Sequence, residues 1–406
     1  MTDKGPKSVG DERNGRSSSG KNAAKSQTNN SNSSGSKSGP KSSVGKSANG
    51  PAQNKKSTKR KSGGKTSGFK RRGKPGPRYA ALDLGTNNCR LLIAAPRGRD
   101  YRIVDAYSRI VRLGENLTGT GRLSEAAMER TINVLAICAE KIQRRGVTRM
   151  RLIATQACRG AENGEAFLQR VKEETGLTLE IIDPEEEARL AMRGCTDLFD
   201  PAAKAVLVFD IGGGSTEISW VRPVPGNGGT AEDQSHEIMA WSSLPFGVVS
   251  LAEKWNGRDV SRAVYDEIVA NVRQTVREVG DEGGMRPFFD EGSAHLLGTS
   301  GTVTSIAGVH LKLDRYRRTD VDGLWLSKER IAAVSEDLRA MDFDQRAAEP
   351  CIGAERADLV VCGCAILEAI LAEWPVERVR VADRGLREGM LMELAEQDRR
   401  KKAVKK

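Results

Sequence analysis

The stretch YAALDLGTNNCRLLIAAP, Tyr79 to Pro96, and its echo AVLVFDIGGGSTEISWV, Ala205 to Val221, decide the fold. In each, an apolar run of strand character ends in an aspartate, Asp83 or Asp210, and a glycine follows two residues on. A short turn of small and polar residues comes next, and a second apolar run leads away. That pattern predicts two β-hairpins built to one plan. Their tips suit an anion: glycine lets the backbone approach closely, turn N–H groups and hydroxyls donate to oxygens, and a strand-end aspartate holds a hard cation. The expectation is a phosphate clamped between the two tips.

Working outward, strands are expected at 79–84, 89–95 and 101–112, then a helix from about Ser124 to Arg145 with apolar residues at helical spacing. Ser124 is the expected cap and Gly146 the stop. A strand at 150–155, a helix at 163–175, a strand at 177–182 and a helix at 184–194 follow. The second half repeats the plan, with strands at 205–210 and 217–222, a helix at 259–279, a strand at 294–298, a helix at 301–312 and a strand at 378–382. Strands alternating with helices imply an α/β class with mixed sheets, and the duplicated hairpins imply two related lobes facing a central cleft. The expected segmentation is a tail over 1–77, lobe I over 78–192, lobe II over 193–385, and a C-terminal helix and basic end over 386–406.

The net charge of +11 hides two unlike parts. Residues 1–77 hold 19 Lys and Arg against 3 Asp and Glu, whereas the remainder is mildly acidic, with 46 basic and 51 acidic residues. The first part contains no Leu, Ile, Trp, Tyr or Cys, and Phe69 is its sole aromatic. It lacks the apolar surface that would offset the entropy of ordering, so a disordered basic tail is expected, able to attract a polyanion such as nucleic acid through counterion release. Within it, GRSSSGKN at Gly15 to Asn22 has P-loop spacing but ends in Asn, and GKS at Gly45 and GKT at Gly64 lack the leading glycine. With no strand before them and no helix after, they are not nucleotide sites.

From Arg78 the chain has length enough for two cored lobes. The seven cysteines, at 89, 138, 158, 195, 351, 362 and 364, form no CxxC pair, which points to a reducing, cytoplasmic setting and to core roles. No apolar run reaches the roughly 20 residues that span a bilayer, so no membrane role is expected. His236, His295 and His310 are too scattered to form a metal centre, and a Cys-x5-Arg nucleophile loop is absent.

Two more loops have the chemistry of the hairpin tips. GTSGT at 298–302 runs from a strand end into a helix, where orphan N–H groups and the helix dipole favour an anion. DRGLREG at 383–389 again ends a strand in an aspartate, Asp383, and starts a helix. With DLGTNN at 83–88, ATQACR at 154–159, EEEAR at 185–189 and DIGGGSTE at 210–217, six motifs stand in order. Together they resemble the exopolyphosphatase and guanosine pentaphosphate phosphatase family, Ppx/GppA, of the actin-like ATPase (ribonuclease H-like) fold, in its short two-lobed form.

The resemblance implies a general base at Glu187, catalytic roles for Glu217 and Arg159, and metal ligation by Asp83, Asp210 and Glu217. It implies phosphate contacts from Gly85, Thr86, Asn87, Gly212, Gly213, Gly214, Ser215, Thr216, Ser300, Gly301 and Thr302, and it leaves Arg90 less certain. The cofactor implied is Mg²⁺ or another divalent cation. Local chemistry singles out Glu187, since Asp183 reads as a helix cap, Pro184 as the first helical residue and Glu186 as the capping-box partner. The chain departs from the family at Asp183-Pro184, where many members have Ser-Gly, and at TNN, where many have SNS. Inorganic polyphosphate is the expected substrate and guanosine pentaphosphate the alternative, with a homodimer left open. An ATP-driven kinase or chaperone of the same fold and a non-catalytic sensor of guanosine tetra- or pentaphosphate are the readings from other classes.

Overall fold

The structure, a computed structural model, describes residues 76–97, 100–224 and 235–404. The tail expected over 1–77 therefore lies almost wholly outside the described residues.

The first sheet comprises β1 (Tyr79–Leu84), β2 (Asn88–Arg97), β3 (Asp100–Ile110), β4 (Arg149–Ala154) and the short β5 (Glu180–Ile181), in the order β3-β2-β1-β4-β5. Its helices are α1 (Leu117–Thr120), α2 (Glu125–Arg144), α3 (Gln156–Arg159), α4 (Gly164–Thr175) and α5 (Pro184–Cys195). The second sheet comprises β6 (Ala205–Ile211), β7 (Thr216–Val224), β8 (Ser235–Leu244), β9 (Ala294–Thr299), β10 (Trp325–Ser327) and β11 (Arg378–Val381), ordered β10-β11-β9-β6-β7-β8. Around it run α6 (Val248–Trp255), α7 (Arg262–Val279), α8 (Arg286–Asp290), α9 (Ser300–His310), α10 (Arg318–Val321), α11 (Lys328–Ala340), α12 (Phe343–Ala348), α13 (Val360–Glu373) and α14 (Leu386–Val404).

The two sheets share one topology. In each, three antiparallel strands lead into two parallel ones, with β6, β7, β8, β9 and β11 retracing β1, β2, β3, β4 and β5. The duplication expected from the two hairpins therefore extends to whole sheets. Each carries its own core, with Leu82, Leu91 and Leu135 in the first and Phe209, Trp220 and Ile306 in the second.

The helices that follow β5 and β11 cross between the lobes. From the second half, α14 packs Met390, Leu391 and Leu394 on Tyr79, Ala81 and Leu92 of the first sheet. From the first half, α5 sends Met192 and Cys195 against Val206, Val208 and Leu297 of the second. The two helices touch backbone to backbone, for a Cβ on Gly194 would lie 2.0 Å from the Gly385 carbonyl oxygen and one on Gly389 2.1 Å from that of Leu190. The closing helix, expected as a segment past 385, is thus part of the packing of the first lobe.

Several expected elements shift. The strand expected at 177–182 shrinks to Glu180–Ile181, and the helix expected from 259 begins at Arg262, capped by Ser261. β8, α6 and the helices between 311 and 377 were not expected. All seven cysteines are buried and free. No helix among the described residues is long and apolar enough to cross a membrane.

Candidate active site

Both hairpins turn in the same way. In the first, Asp83 is register partner of Arg90, and the Gly85 N–H donates to the Asn88 carbonyl at 2.9 Å. In the second, Asp210 is register partner of Glu217, and the Gly212 N–H donates to the Ser215 carbonyl at 3.0 Å. Cross-strand partners lie on one face. One tip therefore presents an aspartate beside an arginine and the other an aspartate beside a glutamate, and all four line one cavity of about 90 Å³. Since a single water needs roughly 10–15 Å³ of such space, the cavity holds several small groups.

The tips touch. A Cβ on Gly213 would lie 2.9 Å from Thr86 Cβ, and one on Gly214 2.8 Å from Thr86 Oγ1. Glycine is needed here because Thr86 occupies the space a side chain would take. Of the residues expected to bind phosphate, Gly85, Thr86, Asn87, Gly212, Gly213, Gly214, Ser215 and Ser300 line the cavity. Ser300 holds a left-handed φ of 78°, a strained conformation of the kind that clusters at ligand sites.

Four residues expected at the site do not line this cavity. Thr216 is fully buried and donates its hydroxyl to the Phe246 carbonyl at 2.9 Å, so it braces the turn and does not reach the cavity. Gly301 and Thr302 line an adjoining cavity of about 50 Å³ with Arg356, which shares Ser300, Arg90 and Gly213 with the first. Arg159 is committed behind the site: it donates to the Ile182 carbonyl at 2.6 Å, to Gln156 Oε1 at 2.9 Å and to Glu187.

Glu187 enters the cavity from the first turn of α5. Asp183 caps that turn by accepting the Glu186 N–H at 2.8 Å, and Pro184 occupies its first position. The capping box is incomplete, because Glu186 turns away to Arg189 at 2.6 Å and Arg151 at 2.8 Å. Glu185 is exposed, so Glu187 is the member of the run that lines the cavity.

The carboxylates raise one another's proton affinity. Burial, and after it Asp210, pushes Glu217 up to about 7, against hydrogen bonds from Ser215 and Ser243. Burial pushes Asp210 up to about 6, opposed by Arg90 and Ser300. Asp83 is raised by burial, with Arg90 and Arg387 opposing. Glu187 is raised well above the usual range by burial and then by Glu217, with Arg159 pulling the other way. Such perturbation is the signature of a site and not of a solvated acidic surface.

Among the described residues, no three His, Cys, Asp or Glu side chains form a ready-made metal cage. Magnesium does not require one, since it takes one or two carboxylates and completes its shell with waters and phosphate oxygens. Asp210 and Glu217, with Asp83 within electrostatic reach of Asp210, are hard-oxygen donors that fit this demand.

The cavity has a fourth wall that the sequence expectations left unassigned, the turn Asp383–Glu388 at the start of α14. Glu388 is buried, accepts the Gly385 N–H at 3.0 Å and pairs with Arg318 at 2.8 Å. Arg384 pairs with Asp322 at 2.6 Å. Among the described residues Arg387 and Arg90 have no hydrogen-bonded partner for their side chains. Their donors therefore remain for an anion, while their charge offsets that of Asp83. Asn88, Thr155, Gln156 and Thr299 complete the lining. The signal for this wall was the DRGLREG motif, whose local reading as a helix start concealed that its arginine faces the hairpin tips.

Known proteins share much of this sequence and fold. The model of the Ppx/GppA phosphatase family matches residues 92–398. The chain is 30% identical over 335 residues to exopolyphosphatase 2 of Mycobacterium tuberculosis, covering 78% of this chain and 98% of that protein. It is 29% identical to the guanosine-5'-triphosphate,3'-diphosphate pyrophosphatase of Photobacterium profundum, of which it spans 60%. The crystal structure of the Aquifex aeolicus Ppx/GppA family member superposes with a TM-score of 0.64 at 28% identity, covering 79% of this chain and 98% of that one. The two duplicated lobes have the actin-like ATPase fold of those structures, and the chain belongs to the Ppx/GppA phosphatase family.

Proposed function

We propose that the protein hydrolyses the terminal phosphoanhydride bond of inorganic polyphosphate, releasing orthophosphate and a chain shorter by one phosphate. The observation that carries this reading is the pairing of a cavity-facing Glu187, held by Arg159, with two uncommitted arginines, Arg90 and Arg387, across a pocket lined by turn N–H groups. The arginines and the glycine-turn donors take the oxygens of the terminal phosphoryl group, whose negative charge spreads in the transition state. Glu187 accepts a proton from water as the water oxygen bonds to phosphorus. The bridging P–O bond breaks, and the shortened chain leaves with the electron pair. Asp210 and Glu217, together with Asp83, would hold a Mg²⁺, which would supply charge neutralisation on the phosphate oxygens.

Polyphosphate is favoured over guanosine pentaphosphate because the chain spans 98% of a relative named exopolyphosphatase and 60% of one named for the nucleotide. Phosphate release from polyphosphate, guanosine pentaphosphate and ATP, with wild type and Glu187→Gln, tests the reading. Faster release from polyphosphate, lost in the variant, is expected. Preferential turnover of guanosine pentaphosphate moves the substrate to the alternative, and ATP turnover alone moves the protein to the kinase or chaperone class. Calorimetric binding of guanosine tetra- or pentaphosphate without phosphate release would make it a sensor.

A further inference from the structure

Behind the first hairpin tip, residues 111–116 reach across to the second lobe at two points. Arg112 donates to both carboxylate oxygens of Asp358, at 2.9 and 2.8 Å, and to the Glu355 carbonyl at 3.0 Å. The Asn116 N–H donates to Glu253 Oε1 at 2.6 Å. The same segment grips the tip itself, for the Val111 and Arg112 N–H groups both donate to the Asn87 carbonyl, at 2.8 and 3.0 Å, and the Gly114 N–H donates to that of Thr86 at 2.9 Å.

Arg112 occupies the left-handed region, with φ of 46°. A long side chain pays a strain cost there, and it persists only where the surroundings over-determine it. They do so here: its N–H is used by Asn87, its carbonyl accepts from Arg130 at 3.2 Å, and its guanidinium is fixed by Asp358. A glycine would hold this backbone without strain, so the arginine is accounted for by what its side chain reaches.

We propose that Arg112 is a positioning residue, a latch whose ion pair with Asp358 keeps the first hairpin tip seated against the second lobe. The inference rests on the function proposed above for its kinetic consequence, but not for its structural one. The tips meet with Thr86 wedged against Gly213 and Gly214, so a phosphoryl group is enclosed only while the lobes stay together. The crossing of α5 and α14 joins the lobes at the cleft floor, and the latch joins them behind the tip. An enzyme whose competent state is a fraction of the whole has its apparent dissociation constant divided by that fraction. Loosening the latch therefore raises KM for the anhydride and leaves the chemical step, once closed, nearly intact.

The test uses the full chain carrying spin labels at Glu129→Cys on α2 and Glu267→Cys on α7, both exposed, while the seven native cysteines are buried. Distances are measured without substrate in wild type, Arg112→Gly and Asp358→Asn. Both variants are expected to gain a longer-distance population, to raise KM about tenfold and to hold kcat within about threefold. The double variant is expected to be no worse than either single one, as for partners in one interaction. Distance distributions matching wild type in both single variants, in folded protein, overturn the latch. Because that readout needs no turnover, a failure to hydrolyse any anhydride would defeat the proposed function and leave the latch to be judged separately.

Discussion

Arg159 holds Glu187 through both terminal nitrogens, at 3.2 and 3.3 Å from the same carboxylate oxygen. Arg159 and Glu217 thus act on the proton affinity of the proposed base in opposite directions. On the proposed reading Arg159 acts through Glu187. Replacing Arg159 with Gln removes the opposing charge, so the Glu187 proton is held more tightly. The acid limb of kcat is expected to move to higher pH, with a loss of about tenfold or more at neutral pH and a smaller change in KM. A direct phosphate contact would raise KM instead, with the acid limb unmoved.

Glu187→Gln keeps the shape and removes the base. A positioned base contributes typically 10²- to 10⁴-fold, so kcat is expected to fall in that range while polyphosphate still binds. Phosphate release against time, with binding of the unreacted polymer measured on the same variant, checks both halves. A loss below tenfold removes Glu187 from the role.

Glu217 and Asp210 give the fold a pH dependence whose sign differs from the usual acidic case. Their affinities are raised in the folded state, to about 7 and about 6, above the ordinary 4.5 and 3.8. Between those values the folded protein binds more protons than the unfolded chain, so its stability falls as pH rises. Metal-free protein is therefore expected to lose melting temperature from pH 5 to 8. Magnesium, which needs the ionised carboxylates, is expected to raise the melting temperature more at pH 8 than at pH 5, and Asp210→Asn to flatten both trends. A magnesium effect equal at the two pH values would remove these carboxylates as ligands.

The hairpins were legible because each is a local device, with strand, acid, glycine and turn adjacent in sequence and the same order used twice. What escaped was decided by distant partners. α13 reads VVCGCAILEAILAE and is buried nearly all round, so it has no apolar stripe to mark it as a helix. Glu186 fits the capping-box spacing, yet ion pairs with Arg189 and with Arg151 on β4 outcompete the cap. The hydroxyl of Thr216 points to Phe246, thirty residues on, which no turn motif announces. Arg387 belongs to the site because α14 crosses to the first lobe, a tertiary event set by the bare backbones of Gly194 and Gly389.

Arg387 and Arg90 line the cavity without a hydrogen-bonded ion pair among the described residues, so their N–H donors are available to the substrate. Replacing Arg387 with Gln is expected to raise KM for polyphosphate about tenfold, the worth of one charge-assisted contact of about 1.4 kcal/mol, and to weaken inhibition by orthophosphate in proportion. Unchanged KM and orthophosphate inhibition would assign Arg387 to the surface.

The contact between the two lobes can be tested at Gly114, which lies behind the tip. A Cβ there would lie 2.4 Å from Thr86 Cγ2 and an ordinary 3.6 Å from Ala157 Cβ. The obstacle is one methyl group, and that methyl sits on the side chain wedged against Gly213 and Gly214. Gly114→Ala is expected to push Thr86 toward the second tip and narrow the space proposed for the phosphoryl group, so activity is expected to fall about tenfold or more with a loss of roughly 1–3 kcal/mol in stability. Thr86→Ser removes the methyl and keeps the hydroxyl. In the double variant both losses are expected to be smaller than in Gly114→Ala alone, a non-additivity that residues in contact show and distant ones do not. Urea unfolding and phosphate release on the single and double variants measure it. Additive effects would mean that Thr86 is not wedged between the segment 111–116 and the second hairpin, and the closed cleft described here would lose its keystone.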